Sequence, residues 1–397
     1  MTHTAVTTVL MLSFAAMAAA QPSPAEPPAA PPSPAAQAQE TSSDTPPPWY
    51  ERLRFSGDFR SRYEGFYQDG GPTRNRSRLR LRLRLDTEVN DETRFHLQVA
   101  SGDTGTPVST NQTFDEFFLP KPFNLDRAYL AYNPSAASAL TLGLGRFNAP
   151  QPSTQLVFDE DLNFEGGWEE VAWSPGESVD VLLVGLQTAV NEISGAADAF
   201  MLGGAAAATV DFGAYELTIS VADYGWGNSD QIAVGSADGP LEAILTNALE
   251  TDASGAVTGY ASDFNVVDVI AEATFSTGQA NYPLRALGQF ARNTRAANDR
   301  NSGLWFELEY GSPRESGTWG TAYTYGALEQ DLSPSAFVFS DIPGTNTRLH
   351  MIEASYVPRR GLSLDATLHL TKPLSADEAI VPDTWLTRLH VAAVVRF

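Results

Sequence analysis

The sequence predicts an all-β protein: a transmembrane antiparallel β-barrel of about 16 strands, with short periplasmic turns and long external loops. Three observations support this prediction. Polar and apolar residues alternate with a period of two along most of the chain after Trp49. Short and long connections between the alternating segments follow one another in turn. The chain also ends on an aromatic residue, Phe397, with apolar residues at every second position before it.

The composition excludes several classes of protein. The 397 residues include 25 Lys+Arg against 48 Asp+Glu, giving a formal charge of −23, and contain no cysteine. The missing cysteine excludes a disulfide scaffold and thiolate metal sites. The acidic balance argues against nucleic acid as a partner, because phosphate binding needs clustered basic residues. No run of 18 apolar residues follows the N-terminus, which excludes a helical membrane protein. The mean hydropathy of −0.19 suits a barrel, whose lipid-facing residues are hidden in alternation.

The N-terminal region predicts export. Residues 1–20 are predicted to be a signal peptide, because an apolar stretch too short to span a membrane ends in Ala18-Ala19-Ala20. Residues 21–48 hold ten of the 26 prolines and are predicted to be a disordered Pro/Ala-rich periplasmic linker. The barrel is predicted to cover residues 49–397. This order places the protein in the outer membrane of a Gram-negative bacterium.

The first predicted strands carry a ladder of arginines. Between residues 74 and 85, every second residue is an arginine and the residues between them are Asn75, Ser77 and four leucines. On a strand the arginines all point to one face. An arginine on the lipid face at mid-membrane costs about 2–4 kcal/mol, so this face is predicted to line the lumen. The predicted pore-lining residues are Arg60, Arg62, Arg74, Arg76, Arg78, Arg80, Arg82 and Arg84. Asp58 and Glu64 are the nearest acids that could brace them.

The later segments repeat the pattern and complete the count. Residues 304–310, 362–371 and 385–397 follow the same alternation. The short connections are predicted at 89–92, 133–138, 175–177, 211–214, 277–281, 311–317 and 358–361. The long ones are predicted at 67–73, 102–122, 148–165, 189–197, 225–265, 293–301, 329–345 and 372–383. This arrangement puts both barrel termini in the periplasm, and a short helix is predicted at 241–249.

One external loop is the candidate for a constriction. The loop at 148–165 carries the acids Asp159, Glu160, Asp161 and Glu165. If it folds inward, these acids face the arginines and create a transverse electric field, which sets ion preference in channels. The alternative is that the arginines only line the wall and the narrow point lies elsewhere. Both interpretations stay open at this stage.

The sequence resembles the bacterial putative-porin family of outer-membrane barrels. The resemblance is densest over 54–175 and covers most of 50–397. The segments that carry it are RFSGDFRSRYE (54–64), RNRSRLRLRLRLDTEVNDE (74–92), LQVASGDTGTPVSTNQTF (97–114), LDRAYLAY (125–132), LGLGRF (142–147) and DEDLNFEG (159–166). The family implies a water-filled channel for passive diffusion of small hydrophilic solutes and ions, without catalytic residues, and it does not name a solute.

Two rivals remain beside a channel: a barrel enzyme of the phospholipase or protease type, and a non-conducting structural barrel. His350, His369 and His390 lie on three consecutive predicted strands, but they are interpreted as lumen-facing polar residues rather than part of a Ser–His–acid unit. No catalytic residue, cofactor or metal site is predicted. The expected partners are outer-membrane lipid and lipopolysaccharide, small hydrophilic solutes, and the barrel-assembly machinery, for which Phe397 is the predicted signal. A homotrimer is one of the oligomeric states left open.

Overall fold

A computed structural model of the chain describes residues 49–397 except 116 and 196. The predicted signal peptide and linker therefore lie outside the described residues. Nineteen strands are found in the described part: β1 (Leu53–Gln68), β2 (Arg74–Asn90), β3 (Thr93–Ser101), β4 (Gln112–Thr113), β5 (Phe123–Tyr132), β6 (Leu140–Phe147), β7 (Phe164–Gly176), β8 (Val179–Asn191), β9 (Ala199–Asp211), β10 (Tyr215–Gly227), β11 (Leu249–Thr251), β12 (Val257–Tyr260), β13 (Asn265–Phe275), β14 (Leu284–Asn293), β15 (Ser302–Tyr310), β16 (Trp319–Leu328), β17 (Thr347–Arg359), β18 (Leu362–Pro373) and β19 (Leu386–Arg396).

Sixteen of these strands form a closed antiparallel barrel. Each barrel strand pairs with its neighbours in the chain, and β19 pairs with both β18 and β1, which closes the sheet. The remaining strands are additions: β4 pairs with β2, while β11 and β12 form a small hairpin of their own. The prediction of about 16 antiparallel strands is confirmed. No helix among the described residues is both long enough and apolar enough to cross a membrane.

The alternation in β1 and β2 sorts the side chains to the two faces of the wall. The leucines and aromatic residues point outward; Phe55 is 75% exposed and Leu83 is 39% exposed. The charged residues point inward, where Asp58 is only 3% exposed. Each outward residue pairs with an outward residue on the next strand, as Phe59 does with Leu81. A shift of one residue would reverse both faces, so the burial pattern specifies this register.

The loops differ in length between the two ends of the barrel. The end that carries both barrel termini has the connections 91–92, 133–139, 177–178, 212–214, 276–283, 311–318 and 360–361. The opposite end has 69–73, 102–122, 148–163, 192–198, 228–264, 294–301, 329–346 and 374–385. The predicted alternation of short and long connections matches these bounds. In the two-residue turn 360–361, Gly361 has a φ of 79°, a conformation that glycine adopts without a steric penalty.

The helical segments are short. The helix α1 spans Asp230–Ala237 in the loop 228–264. The prediction of a helix at 241–249 is wrong; Pro240 and a run of extended backbone follow α1 instead. Single turns of 3₁₀ helix lie at Trp49–Arg52, Ser135–Ala137, Ser335–Phe337 and Ala376–Glu378.

The hydrophobic core lies inside the barrel. Two loops, 148–163 and 329–346, contribute fully buried residues that pack against apolar inward-facing side chains of the wall. Phe158 packs edge-on against Tyr224 of β10 with ring centroids 5.0 Å apart. Phe337 stacks on Trp226 at 5.4 Å. Apolar packing of this kind fixes the two loops in the lumen, since burial of each large apolar side chain contributes about 1.5–3 kcal/mol.

The last residue closes the barrel against β1. The amide of Phe397 donates to the carbonyl of Gly57 over 3.1 Å, and the amide of Gly57 donates to the carbonyl of Phe397 over 2.8 Å. A Cβ atom at Gly57 would lie 2.6 Å from the carbonyl oxygen of Arg82 and 2.9 Å from the ring of Phe397. Position 57 therefore needs glycine for this close approach.

Candidate functional site

The arginines of β1 and β2 form a block of like charge on the inward face. The register places Arg60 directly opposite Arg80, and Arg62 directly opposite Arg78. Directly opposed like charges destabilise a sheet. The same register places one carboxylate just beyond each end of this block, and these two carboxylates neutralise part of it.

Asp58 is the carboxylate at one end of the block. Its oxygen Oδ1 accepts a hydrogen bond from Nη2 of Arg80 at 3.0 Å. Its oxygen Oδ2 accepts from Nε of Arg82 at 2.9 Å and from Nη2 of Arg84 at 3.0 Å. One buried carboxylate thus bridges three guanidinium groups. Hydrogen bonds between charged groups are stronger than neutral ones, so Asp58 holds these side chains in fixed positions.

Glu64 is the carboxylate at the other end, and its side chain is 0% exposed. It is paired with Arg62, with Nε of Arg76 at 2.5 Å and with Nη1 of Arg78 at 3.6 Å. Arg388 of β19 reaches it from the other side, with Nη2 at 3.3 Å. Four arginines therefore share one buried acid, which leaves this wall with more positive than negative charge.

The lumen contains a cavity of about 710 Å³ beside this wall. Of the eight arginines predicted to line the pore, four line the cavity: Arg60, Arg62, Arg80 and Arg82. The others lie away from it. Arg74 and Arg76 stack over the ring of Phe66 at 5.7 and 5.1 Å, and Arg84 donates to Gln98. Arg78 donates to the backbone carbonyl of Asn111.

Another part of the cavity is lined by carboxylates. Glu307 and Glu309 of β15 both pair with Arg285 of β14, the latter at 3.0 Å. Glu353 of β17 and Asp365 of β18 extend this acidic wall. The alternation of 304–310 in the sequence showed that Glu307 and Glu309 share a face, but their place in the same cavity as the arginines follows from closure of the barrel.

The loop 148–163 folds into the lumen, and its three acids have different surroundings. Glu160 is exposed to the cavity, facing Arg60 and Arg80 among its lining residues. Asp161 lies at the arginine wall, where Oδ1 is 3.5 Å from Nη1 of Arg82. Asp159 is buried away from the cavity and is described next. These positions agree with a loop that narrows the lumen.

Asp159 ties the two inserted loops together. Its carboxylate accepts hydrogen bonds from the backbone amides of Asp161 and Ser340, both at 2.7 Å. Its own amide donates to the carbonyl of Phe337 at 2.8 Å. Burial, together with the neighbouring charge of Asp161, raises the pKa of Asp159 to about 8. Asp159 therefore anchors the loop instead of facing the arginines.

Glu165 is not part of this loop. It is the second residue of β7 and pairs with Arg146 of β6, and its side chain is 61% exposed. The sequence analysis grouped Glu165 with Asp159, Glu160 and Asp161 as candidate acids of a constriction loop, and this position removes Glu165 from the loop.

The loop 329–346 supplies a residue that the sequence analysis missed. Asp341 points to the arginine wall, where it pairs with Arg388 at 2.7 Å and with Arg62 at 3.4 Å. Burial alone would raise the pKa of Asp341, but Arg388 and Arg62 hold it well below its usual value. The apolar run at residues 336–339 was the available signal, because an exposed loop has no reason to carry consecutive apolar residues.

The histidines are divided between the two faces of the barrel. His369 and His390 point inward and line the cavity. His350 pairs with Tyr325 on the outward face, and its Nδ1 lies 2.9 Å from the hydroxyl of Tyr323. The interpretation of His350 as lumen-facing is therefore wrong. Ile352 pairs with Tyr323 and faces outward, and His350 is two residues away on the same strand, so it faces the same side.

The protein has the architecture of a porin-type barrel, because its sixteen strands close into a barrel and its loops fold into a charged lumen. Residues 67–181 match the family model described as putative porin, which confirms the resemblance inferred from the sequence. No curated protein matches the chain.

Two solved structures show the same fold. Pseudomonas putida OprB matches with a TM-score of 0.56 and 13% identity, covering 88% of this chain and 95% of its own. Salmonella typhi OmpF, solved with daunomycin, matches with a TM-score of 0.50 and 13% identity, covering 87% and 97%. Identities this low establish the likeness in fold alone.

Proposed function

We propose that the protein is an outer-membrane porin through which small hydrophilic solutes and ions diffuse passively. The observation that carries this proposal is the polar cavity between two oppositely charged walls inside a closed barrel. Oppositely charged walls act on a solute at close range without binding it tightly, which suits passage down a gradient. The arginines of β1 and β2 form the positive wall.

The charges that line the cavity balance in number. Seven arginines and seven carboxylates line it. The arginines are Arg60, Arg62, Arg80, Arg82, Arg127, Arg285 and Arg396, and the carboxylates are Glu160, Asp161, Glu307, Glu309, Asp341, Glu353 and Asp365. The lining therefore has no net formal charge, but four of the arginines lie together on β1 and β2, and four of the carboxylates lie on β15, β17 and β18. We expect a weak preference among small ions and a transverse field that orients dipolar solutes.

The arginines that lie behind the cavity lining, on the side of β1 and β2, favour anions slightly. Arg76, Arg78, Arg84 and Arg388 lie there and pair with Asp58 and Glu64, two acids that also pair with Arg62, Arg80 and Arg82 of the cavity lining, so this group of ion pairs carries an excess of positive charge. This excess acts on the lumen at longer range and is reduced by salt. A small anion preference at low ionic strength follows, and it should decrease as salt is added.

The residues do not favour the enzyme alternative. Among the described residues, no serine hydroxyl is hydrogen-bonded to a histidine ring. His96 pairs with Asp86 at 2.6 Å and stacks on Tyr129, so its ring is held by neighbours other than a nucleophile. A Ser–His–acid unit needs that contact with the nucleophile.

Planar-bilayer recording tests the proposal. The refolded full-length chain is added to the bilayer, and single-channel conductance and the reversal potential under a salt gradient are measured. Stepwise, ohmic openings are expected, together with a small anion preference. A liposome-swelling assay compares an uncharged sugar with a zwitterionic amino acid of similar mass. A folded barrel that passes neither ions nor solutes would contradict the proposal and favour a structural barrel.

A further inference from the structure

A cluster of three metal-ligating side chains lies where the loop 329–346 meets β18 and β19. Asp341, His369 and His390 each offer one ligand atom, and these atoms lie within 4.8 Å of one another. We propose that this cluster is a binding site for a divalent transition-metal ion such as Zn²⁺. The site adds to the proposed channel function and does not depend on it.

The two histidines have buried nitrogens without a partner. His369 is 1% exposed and His390 is 4% exposed. Neither Nδ1 of His369 nor Nε2 of His390 has a hydrogen-bond partner. A buried polar atom left unsatisfied costs about 1–3 kcal/mol, so such atoms call for an explanation. A metal ion bound at Nδ1 of His369 would accept the lone pair of that neutral imidazole and remove this cost, while Nε2 of His390 points to Glu64 and leaves Nδ1 of His390 for the metal.

The donor set selects the kind of ion. Two imidazole nitrogens and one carboxylate oxygen suit Zn²⁺ and related first-row ions, whereas Ca²⁺ and Mg²⁺ prefer oxygen ligands. Ligand distances of about 2.0–2.1 Å place neighbouring ligand atoms about 3.4 Å apart in a tetrahedral site. Nδ1 of His390 already lies 3.7 Å from Oδ2 of Asp341. Small side-chain rotations would close the remaining gap, and the adjoining cavity leaves room for water as a fourth ligand.

The charges around the cluster do not favour a cation. Arg62 and Arg388 pair with Asp341, and Glu64, which lies 3.9 Å from Nε2 of His390, is shared with Arg76 and Arg78. The two arginines compete with the metal for the carboxylate of Asp341, so we expect weaker binding than at a structural zinc site.

Metal titration of the refolded full-length chain tests this site. Isothermal titration calorimetry with ZnCl₂ measures affinity and stoichiometry, and Co²⁺ reports ligand geometry through its visible absorption. We expect one Zn²⁺ per chain that displaces Co²⁺. Replacing His369→Gln or His390→Gln should weaken binding by at least about tenfold, because changes even in the outer shell of a metal site cost 10–100-fold.

The matched control is His350→Gln, which removes a histidine from the outward face and should leave the affinity unchanged. Folding of each variant is checked by the mobility of the unheated barrel in gel electrophoresis. Equal Zn²⁺ affinity in the parent and in the folded His369→Gln, His390→Gln double variant would overturn the proposal. Absence of a Co²⁺ band in the parent would overturn it independently of any variant.

Discussion

Arg60 offers the most direct test of the positive wall. Its guanidinium lines the cavity and donates to Oδ1 of Asn111 at 2.6 Å, but none of the carboxylates in the described residues forms an ion pair with it. Replacement by serine therefore removes one uncompensated positive charge without stranding an acid. The same change at Arg80 or Arg82 would weaken the shell around buried Asp58 and confuse selectivity with stability.

The size of the effect follows from Coulomb's law. An ion that passes about 7 Å from the guanidinium gains or loses about 0.6 kcal/mol at the dielectric constant of water. With a Debye length of about 10 Å at 0.1 M salt, roughly half of this remains. Anions lose about 0.3 kcal/mol and cations gain the same amount. The anion-to-cation permeability ratio should fall by about threefold, since 1.4 kcal/mol corresponds to a factor of ten.

The reversal potential under a salt gradient measures this ratio. Arg60→Lys keeps the charge and should keep the ratio, and Arg360→Ser, in the exposed turn 360–361, is the matched control far from the cavity. The shift should shrink as salt concentration rises. A folded Arg60→Ser channel with the parental ratio at 0.1 M salt would refute the assignment of Arg60 to the path of the ions.

Three further predictions concern stability and the inserted loops. Glu64→Gln should lower the free energy of unfolding by about 3–5 kcal/mol, because it leaves buried arginines without their shared acid. The control Glu88→Gln changes a side chain that is 54% exposed and should lower the free energy of unfolding by less than about 1 kcal/mol. Urea unfolding followed by gel mobility compares the two variants. The pKa of Asp159 is raised to about 8, so its protonated form stabilises the fold at acid pH, and this stabilisation is lost as pH rises from about 4 to about 8. The urea midpoint of unfolding in the parent should therefore fall as pH rises across this range. Asp159→Asn should remove that fall. The side chain of Leu156 is 0% exposed, so Leu156→Ala should weaken the packing of the loop by about 3–5 kcal/mol. Conductance and current noise in bilayer recordings should both rise. Unchanged currents would show that the loop does not narrow the lumen.

The arginine wall was predictable from sequence, and the reason is local. A strand repeats every two residues, so the alternation at 74–85 assigns each arginine to one face without any knowledge of the rest of the chain. The cost of placing arginine in lipid then decides which face is inward. The loop lengths and the terminal Phe397 predicted the topology in the same way, and the count of sixteen strands is confirmed.

The composition of the site depended on tertiary structure. Which arginines reach the cavity is decided by depth along the barrel, so Arg74, Arg76 and Arg84 share a face with Arg80 but lie outside the cavity. The acidic wall lies on β15, β17 and β18, which come round to β1 and β2 only through the pairing of β19 with β1, at a distance in sequence that no periodicity bridges. Asp159 and Glu160 are adjacent in the chain, yet one is buried in a loop contact and the other faces the cavity.

Sequence by itself therefore determined the barrel, its strand count and the inward arginines of β1 and β2. These properties depend on short-range alternation and on the large free-energy difference between lipid and water. Only the tertiary structure decided the partners of those arginines, the insertion of the loop 329–346 and the meeting of Asp341 with His369 and His390. Such contacts arise when the sheet closes and two loops pack against each other, because closure brings residues of distant strands to the same depth inside one wall.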